Sequence, residues 1–241
     1  MASSSQSQAL ITGASSGIGR ATALAFAQSG LNLVLLGRSQ AKLDQVATAA
    51  QEHGVSVQTL TLDLAQVSSL PSRLTEMLAG VGPIDILVNN AGMGYTGALA
   101  TVSLADWQHV LDLNVTSVFL CSQAVLPQMR SRQRGTIINV ASVAAYQVFP
   151  DWGPYCVSKA ALVTLSKALA TEEQANGIRV SVVSPGAVNT PLWDTDTVQA
   201  DFARDQMLTP EMVADTILQI VSVPTAAIIE ELKLMPSTGT L

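Results

Sequence analysis

Short apolar runs alternate along this chain with longer stretches in which apolar residues return every three or four positions. The runs are "ALIT" (9–12), "NLVLL" (32–36), "VQTLTL" (57–62), "DILVN" (85–89), "GTIINVAS" (135–142), "RVSVVSP" (179–185) and "AAIIEELKLMP" (226–236). Their richness in Val, Ile and Leu predicts buried strands. Between them, "GRATALAFAQSG" and "SQAKLDQVATAAQEHG" have a helical period and end on Gly30 and Gly54, plausible C-caps, with Ser39 as a candidate N-cap. The segments 106–129 and 154–174 predict the two longest helices, and both are apolar around more of their circumference than packing on one sheet requires. No repeat or linker interrupts the alternation. Strands alternating with helices imply βαβ units: an α/β fold, a doubly wound sheet of seven parallel strands with helices on both faces, in one domain over 1–241. Ligands of such sheets bind beyond the carboxyl ends of the strands.

Composition narrows the function. Hydrophobic residues make up 48% of the chain and charged ones 12%, about half the usual charged fraction, which suggests that some surface is buried again in an oligomer. A net charge of −6 argues against a nucleic-acid-binding face. No uninterrupted apolar run approaches the roughly 18 residues of a membrane span, and the leader "MASSSQSQ" has neither the basic start nor the apolar middle of a signal peptide. Cys121 and Cys156 lack metal or redox spacing, and His53 and His109 stand alone. A cytoplasmic protein without a metal site and without membrane contact is expected.

Three places carry candidate chemistry. "TGASSGIGRA" puts Gly13, Gly17 and Gly19 in the turn from the first strand into its helix, where glycine allows backbone N–H groups to approach a phosphate. The spacing is G-x-x-x-G-x-G, not the common G-x-G-x-x-G. At the end of the second strand, "LLGRS" has Gly37 and Arg38 where an NAD-binding fold usually places an acid. Arg38, with Ser15 and Ser39, is suited to a 2′-phosphate. Finally, "GPYCVSKAALVTL" sets Tyr155 and Lys159 four positions apart on one helical stripe. That pair is either a half-buried tyrosine beside a snorkelling lysine, or a proton donor whose pKa the ammonium lowers. The spacing alone leaves both open.

These motifs together resemble the short-chain dehydrogenase/reductase family. "TGASSGIG" matches its cofactor turn and "NNAG" (89–92) the motif after its fourth strand. Asn114 in "LDLNV", Ser142 in "NVAS" and Tyr155-x-x-x-Lys159 match its catalytic tetrad, and "SPGAVNTP" (184–191) the segment over the nicotinamide. The resemblance spans nearly the whole chain. It implies a Rossmann-like fold binding NADP(H) through the turn residues Gly13, Ser15, Ser16, Gly17, Ile18 and Gly19, and through Arg38 and Ser39 at the phosphate. Asp63 and Leu64 would meet the adenine, and Asn90, Ala91 and Gly92 would line the middle of the site. Pro185, Gly186, Val188 and Thr190 would cover the nicotinamide, with Tyr155 and Lys159 also touching the cofactor. Tyr155 would act as general acid/base, Ser142 would polarise the carbonyl, Lys159 would hold the ribose, and Asn114 would open its helix for a relay water.

The activity so implied is an NADPH-dependent carbonyl reductase, reversible as an alcohol dehydrogenase, acting on a small-molecule ketone or alcohol as a homodimer or homotetramer. The loops after the fourth, fifth and sixth strands would wall the substrate with Met93, Tyr95, Tyr146, Phe149, Trp152, Leu192, Trp193 and Met207. The alternative is a 3-oxoacyl-[acyl-carrier-protein] reductase, for which Arg130, Arg132 and Arg134 would attract the acidic carrier. Asn176 and the ending "IIEELKLMPSTGTL" depart from that pattern, which ranks free ketones first. A non-catalytic NADP-binding regulatory protein is the remote alternative, and sugar epimerases rank low.

Overall fold

The computed structural model describes residues 7–200 and 203–239, so most of the leader "MASSSQSQ" and the last two residues lie outside the described residues. Seven strands form one parallel sheet: β1 (Gln8–Thr12), β2 (Asn32–Gly37), β3 (Val57–Thr61), β4 (Ile86–Asn89), β5 (Gly135–Val140), β6 (Ile178–Pro185) and β7 (Glu231–Leu234). Their order is β3-β2-β1-β4-β5-β6-β7. Leu10 of β1 pairs with Val34 of β2 on one side and Leu87 of β4 on the other. The chain therefore winds outward in both directions from the β1/β4 junction, and that switch point opens a crevice at the carboxyl ends of the strands.

Strand side chains alternate between two apolar layers. Ile11, Leu35, Val88 and Ile138 pack toward α1 (Gly17–Gln28), α2 (Gln40–Gln51) and α7 (Pro210–Ser222). Leu10, Leu36, Leu87 and Ile137 pack toward α3 (Leu70–Ala79), α5 (Ser117–Arg132) and α6 (Gly153–Glu173). Both faces of the sheet are thus buried, which is why its strands read as unbroken apolar runs.

Several elements differ from the pattern reading. The last strand is four residues, not eleven, because the chain turns at 225–226 and the Val223, Pro224 and Ala227 carbonyls accept from Arg179. Ser39 stands at the start of α2, yet its hydroxyl makes no capping bond there. The long segment predicted over 106–129 is one helix from Leu104 to Arg132, made of α4 (Leu104–Leu111), a π turn (Asp112–Thr116) and α5. That helix is long and apolar enough to cross a bilayer by length and composition. Here Val118, Cys121, Val125 and Met129 are buried on its inner face, as in a core helix. Helices α3 and α7 went unassigned by periodicity. A Pro in each first turn, and the Thr209 hydroxyl accepting from the Met212 N–H, mark where they begin.

Candidate active site

One cleft of about 1000 Å³ runs across the carboxyl ends of the strands from Arg38 to Trp193. That volume lies at the top of the roughly 300–1,000 Å³ range of ligand pockets, enough for a dinucleotide and a small second molecule. Gly13 and Gly17 hold left-handed backbones at φ +64° and +52° in the turn that enters α1. A Cβ on Gly17 would fall 3.1 Å from the Thr190 methyl carbon across the cleft. Gly19 does not line the cleft, contrary to the reading from resemblance. Its hydrogen side lies against the backbone, where a Cβ would sit 2.3 Å from the Gly13 carbonyl oxygen.

Two helix N-termini open on this cleft without a capping side chain. Ser16 before α1 and Ser39 before α2 make no capping bond, and neither helix has an acid in its first turn. By contrast, the Ser103 and Thr209 hydroxyls cap α4 and α7. Unpaired N–H groups and the positive dipole end favour an anion. Beside the α2 terminus lie exposed Arg38 and Lys42, neither with an ion pair among the described residues. Lys42 was missed in the sequence. A cation in a first helical turn opposes the helix dipole, and that misfit was the available signal. Asp63 lines the neighbouring wall while one carboxylate oxygen accepts from the Ala65 N–H at 3.1 Å, an Asx turn rather than a helix cap.

Thr12, also unflagged, holds the middle of the site together. Its hydroxyl accepts from the Asn90 and Ala91 N–H groups, each at 3.0 Å, and donates to the Val88 carbonyl. The Asn90 amide donates back to the Thr12 and Gly13 carbonyls. The "NNAG" segment is thereby clamped to the glycine turn across the switch point. Beneath it, Asn89 donates to Asn139 and to Ser122, and Asn139 donates to Ser166, in a buried polar row joining β4 and β5 to α5 and α6.

At the floor, just past the end of β5, Ser142 accepts from the Ala144 N–H at 3.1 Å and stands close enough to the Tyr155 phenol to lower its pKa. Lys159 is 5% exposed; its ammonium donates to the Val140 carbonyl at 3.0 Å and lies 5.7 Å from the centroid of the Tyr155 ring. Burial pushes the Tyr155 phenol up to about 12, against the opposing pull of Ser142. Burial likewise brings the Lys159 amine down to about 8. Desolvation is the largest influence on the phenol, and the ammonium expected to lower its pKa together with an oxidised nicotinamide is held to a backbone carbonyl. The result is a phenol that keeps its proton at neutral pH.

Asn114 lies in the π turn, one layer behind the cleft wall. Its carbonyl accepts from the Met93 N–H, and its amide donates to the Met93 carbonyl and to Ser158, so both amide protons are used. A Cβ on Gly92 would fall 3.1 Å from the Asn114 oxygen and 3.6 Å from the Lys159 nitrogen, which shows how tightly these three converge. Ile18, Ser15, Leu64, Ala91, Pro185, Gly186, Val188 and Thr190 all line the cleft.

Five of the eight expected wall residues face the far end: Met93, Phe149, Trp152, Leu192 and Trp193. The other three turn away. The Tyr95 hydroxyl donates to Asp106, Tyr146 bonds Ser184 under the ammonium of Lys233, and Met207 is buried. Trp152 stands edge-on to Tyr155 and to Trp193, with centroids at 5.4 and 5.7 Å.

A doubly wound parallel sheet with anion-binding turns at its switch point defines a nucleotide-binding α/β protein. The narrower class follows from the comparisons. The family model of the short chain dehydrogenases matches residues 7–201, and the chain belongs to that family. It is 33% identical to a sepiapterin reductase of Chlorobaculum tepidum, over 96% of this chain and 97% of the other. It is 36% identical to a 3-oxoacyl-[acyl-carrier-protein] reductase of Synechocystis, over 92% and 91%. Among solved structures, an alcohol dehydrogenase from Thermococcus sibiricus in complex with 5-hydroxy-NADP superposes with a TM-score of 0.88 at 27% identity, covering 98% of this chain and 99% of the other.

Proposed function

We propose that this oxidoreductase is an NADPH-dependent reductase of free ketones, with Tyr155 as the proton donor. The observation that carries the reading is the convergence of the protonated Tyr155 phenol, Ser142 and Lys159 in one cleft, with the Lys159 ammonium 5.7 Å from the phenol ring. The cofactor is NADP(H). Its pyrophosphate suits the uncapped start of α1, and its 2′-phosphate suits Arg38, Lys42 and the start of α2. When bound, the nicotinamide supplies or accepts the hydride at the carbonyl carbon. Ser142 donates a hydrogen bond to the carbonyl oxygen and orients it, while Tyr155 gives that oxygen its proton. The Lys159 ammonium offsets the charge left on the phenolate. Asn114, with its amide protons committed, fixes the Met93 loop against α6 and keeps the helix open at the π turn.

Carrier-bound substrates rank second. Arg130 is paired with Glu173, and Arg132 and Arg134 share Asp85, so two carboxylates already offset most of the charge of the three. They also lie in the last turn of α5 and just before the first residue of β5, at the end of the sheet away from the cleft. The test is NADPH oxidation with simple ketones and with a carrier-bound 3-oxoacyl thioester. Tyr155→Phe should lower kcat by about 10²–10⁴ while NADPH still binds. A variant within a few-fold of the parent rate would overturn the assignment, and a carrier substrate preferred by orders of magnitude would reverse the ranking.

A further inference from the structure

Charge is unevenly placed along the cleft. The end built by β2 and β3 carries Arg38 and Lys42 with one carboxylate, Asp63. The other end, formed by the loops after β4, β5 and β6, has no lysine or arginine on those loops among its described lining residues, the Lys159 ammonium of α6 being held to the Val140 carbonyl, and one carboxylate, the exposed Asp196. Its neighbour Asp194 is bridged by Arg204 at 3.3 Å, but Asp196 has neither an ion pair nor a hydrogen bond among the described residues.

The segment that carries Asp196 is fixed on both sides. The Thr195 and Thr197 hydroxyls lie 3.2 Å apart; Thr195 donates to the Leu192 carbonyl and Thr197 to the Gly94 carbonyl. The Thr96 N–H donates to the Thr197 carbonyl at 2.8 Å, stapling this loop to the one after β4. The aromatic wall is fixed too. Asp151 adopts a left-handed backbone at φ +64°, and its carbonyl accepts from the Gly97 N–H at 2.7 Å. That turn sets Trp152 at the head of α6, packed against Tyr155 and Trp193. A strained residue held by its surroundings beside a binding wall is an arrangement typical of functional sites.

A lone carboxylate and indole surface in one pocket share a preference for cations. They disfavour a substrate carboxylate, which would meet like charge with no cation on these loops to offset it. We propose, resting on the ketone-reductase reading, that the pocket selects ketones bearing a protonated amine, the ammonium lying between Asp196 and the Trp152–Trp193 wall. One hydride from NADPH and one proton from Tyr155 then convert the aminoketone to the amino alcohol, and the ammonium takes no part in the bond changes.

Three aryl ketones of matched shape test this: dimethylaminopropiophenone, its uncharged isostere isohexanophenone, and benzoylpropionate. The ammonium ketone should exceed the isostere about fivefold in kcat/KM, and the carboxylate should rank last. Asp196→Asn should bring the ammonium-to-isostere ratio to near parity, and Asp196→Lys should place benzoylpropionate first. Calorimetry on the NADP⁺-loaded protein, in which no hydride is available, should give dissociation constants in the same order. Turnover of isohexanophenone with a ratio near one in the parent would overturn the amine preference and leave the reductase standing. Failure to reduce any of the three would overturn both. Ammonium binding unchanged in Asp196→Lys would remove Asp196 from the account.

Discussion

A lysine buried beside a phenol, with one backbone carbonyl as its partner, costs the folded protein stability wherever the free amine would be charged. Lys159 falls from 10.5 to about 8 on folding, so between those values the unfolded chain binds more protons and stability rises with pH. Below about pH 8 the penalty is fully present. Lys159→Met should therefore stabilise the protein at pH 7 by about 2 kcal/mol, or roughly 4–8 °C in Tm, while ketone reduction collapses. The gain should shrink by pH 10, and a variant that melts at or below the parent at pH 7 would refute it. At the other end of the cleft, Arg38→Ala should weaken NADPH binding about 10- to 100-fold and leave NADH binding nearly unchanged. Equal kcat/KM for both cofactors in the parent would refute that. Arg38 was legible because an acid is missing at that strand end. Thr12 was not, since a threonine at the end of a strand has no signature until β4 arrives beside it.

Elements behaved according to how local their causes are. Strands buried on both faces and glycine-ended helices were readable from pattern, and an asparagine in mid-helix announced the irregularity that became the π turn. The short β7 was not readable, because edge pairing is decided by neighbours rather than by apolar content. Nor were the directions of Tyr95 and Tyr146, because a loop side chain goes where tertiary partners such as Asp106 and Lys233 stand. The loop over the cleft follows the same rule. Its anchor is Arg204, which donates to Asn189 at 2.9 Å and to the Thr190 carbonyl at 3.0 Å and pairs with Asp194. Arg204→Ala should raise the KM for ketones about threefold to thirtyfold, with a smaller change in kcat and Tm within about 2 °C of the parent. An unchanged KM would show that the loop needs no such anchor.

For the whole molecule, the sparse charge and the outer faces of α5 and α6 point to self-association. Phe119 and Val157 are 42% and 44% exposed on those two helices. Light scattering at micromolar concentration should give two or four times the 25.2 kDa chain mass, and Phe119→Asp should lower it. A 25.2 kDa parent particle would refute the expectation. The strand order has a further cost, paid during synthesis rather than in the finished fold. β1 is made first but lies mid-sheet, and Leu10 must wait for Leu87 to cover its second edge. At roughly 5–20 residues per second, that edge stays open on the ribosome for on the order of ten seconds, an interval in which a nascent chain can pair with the wrong strand.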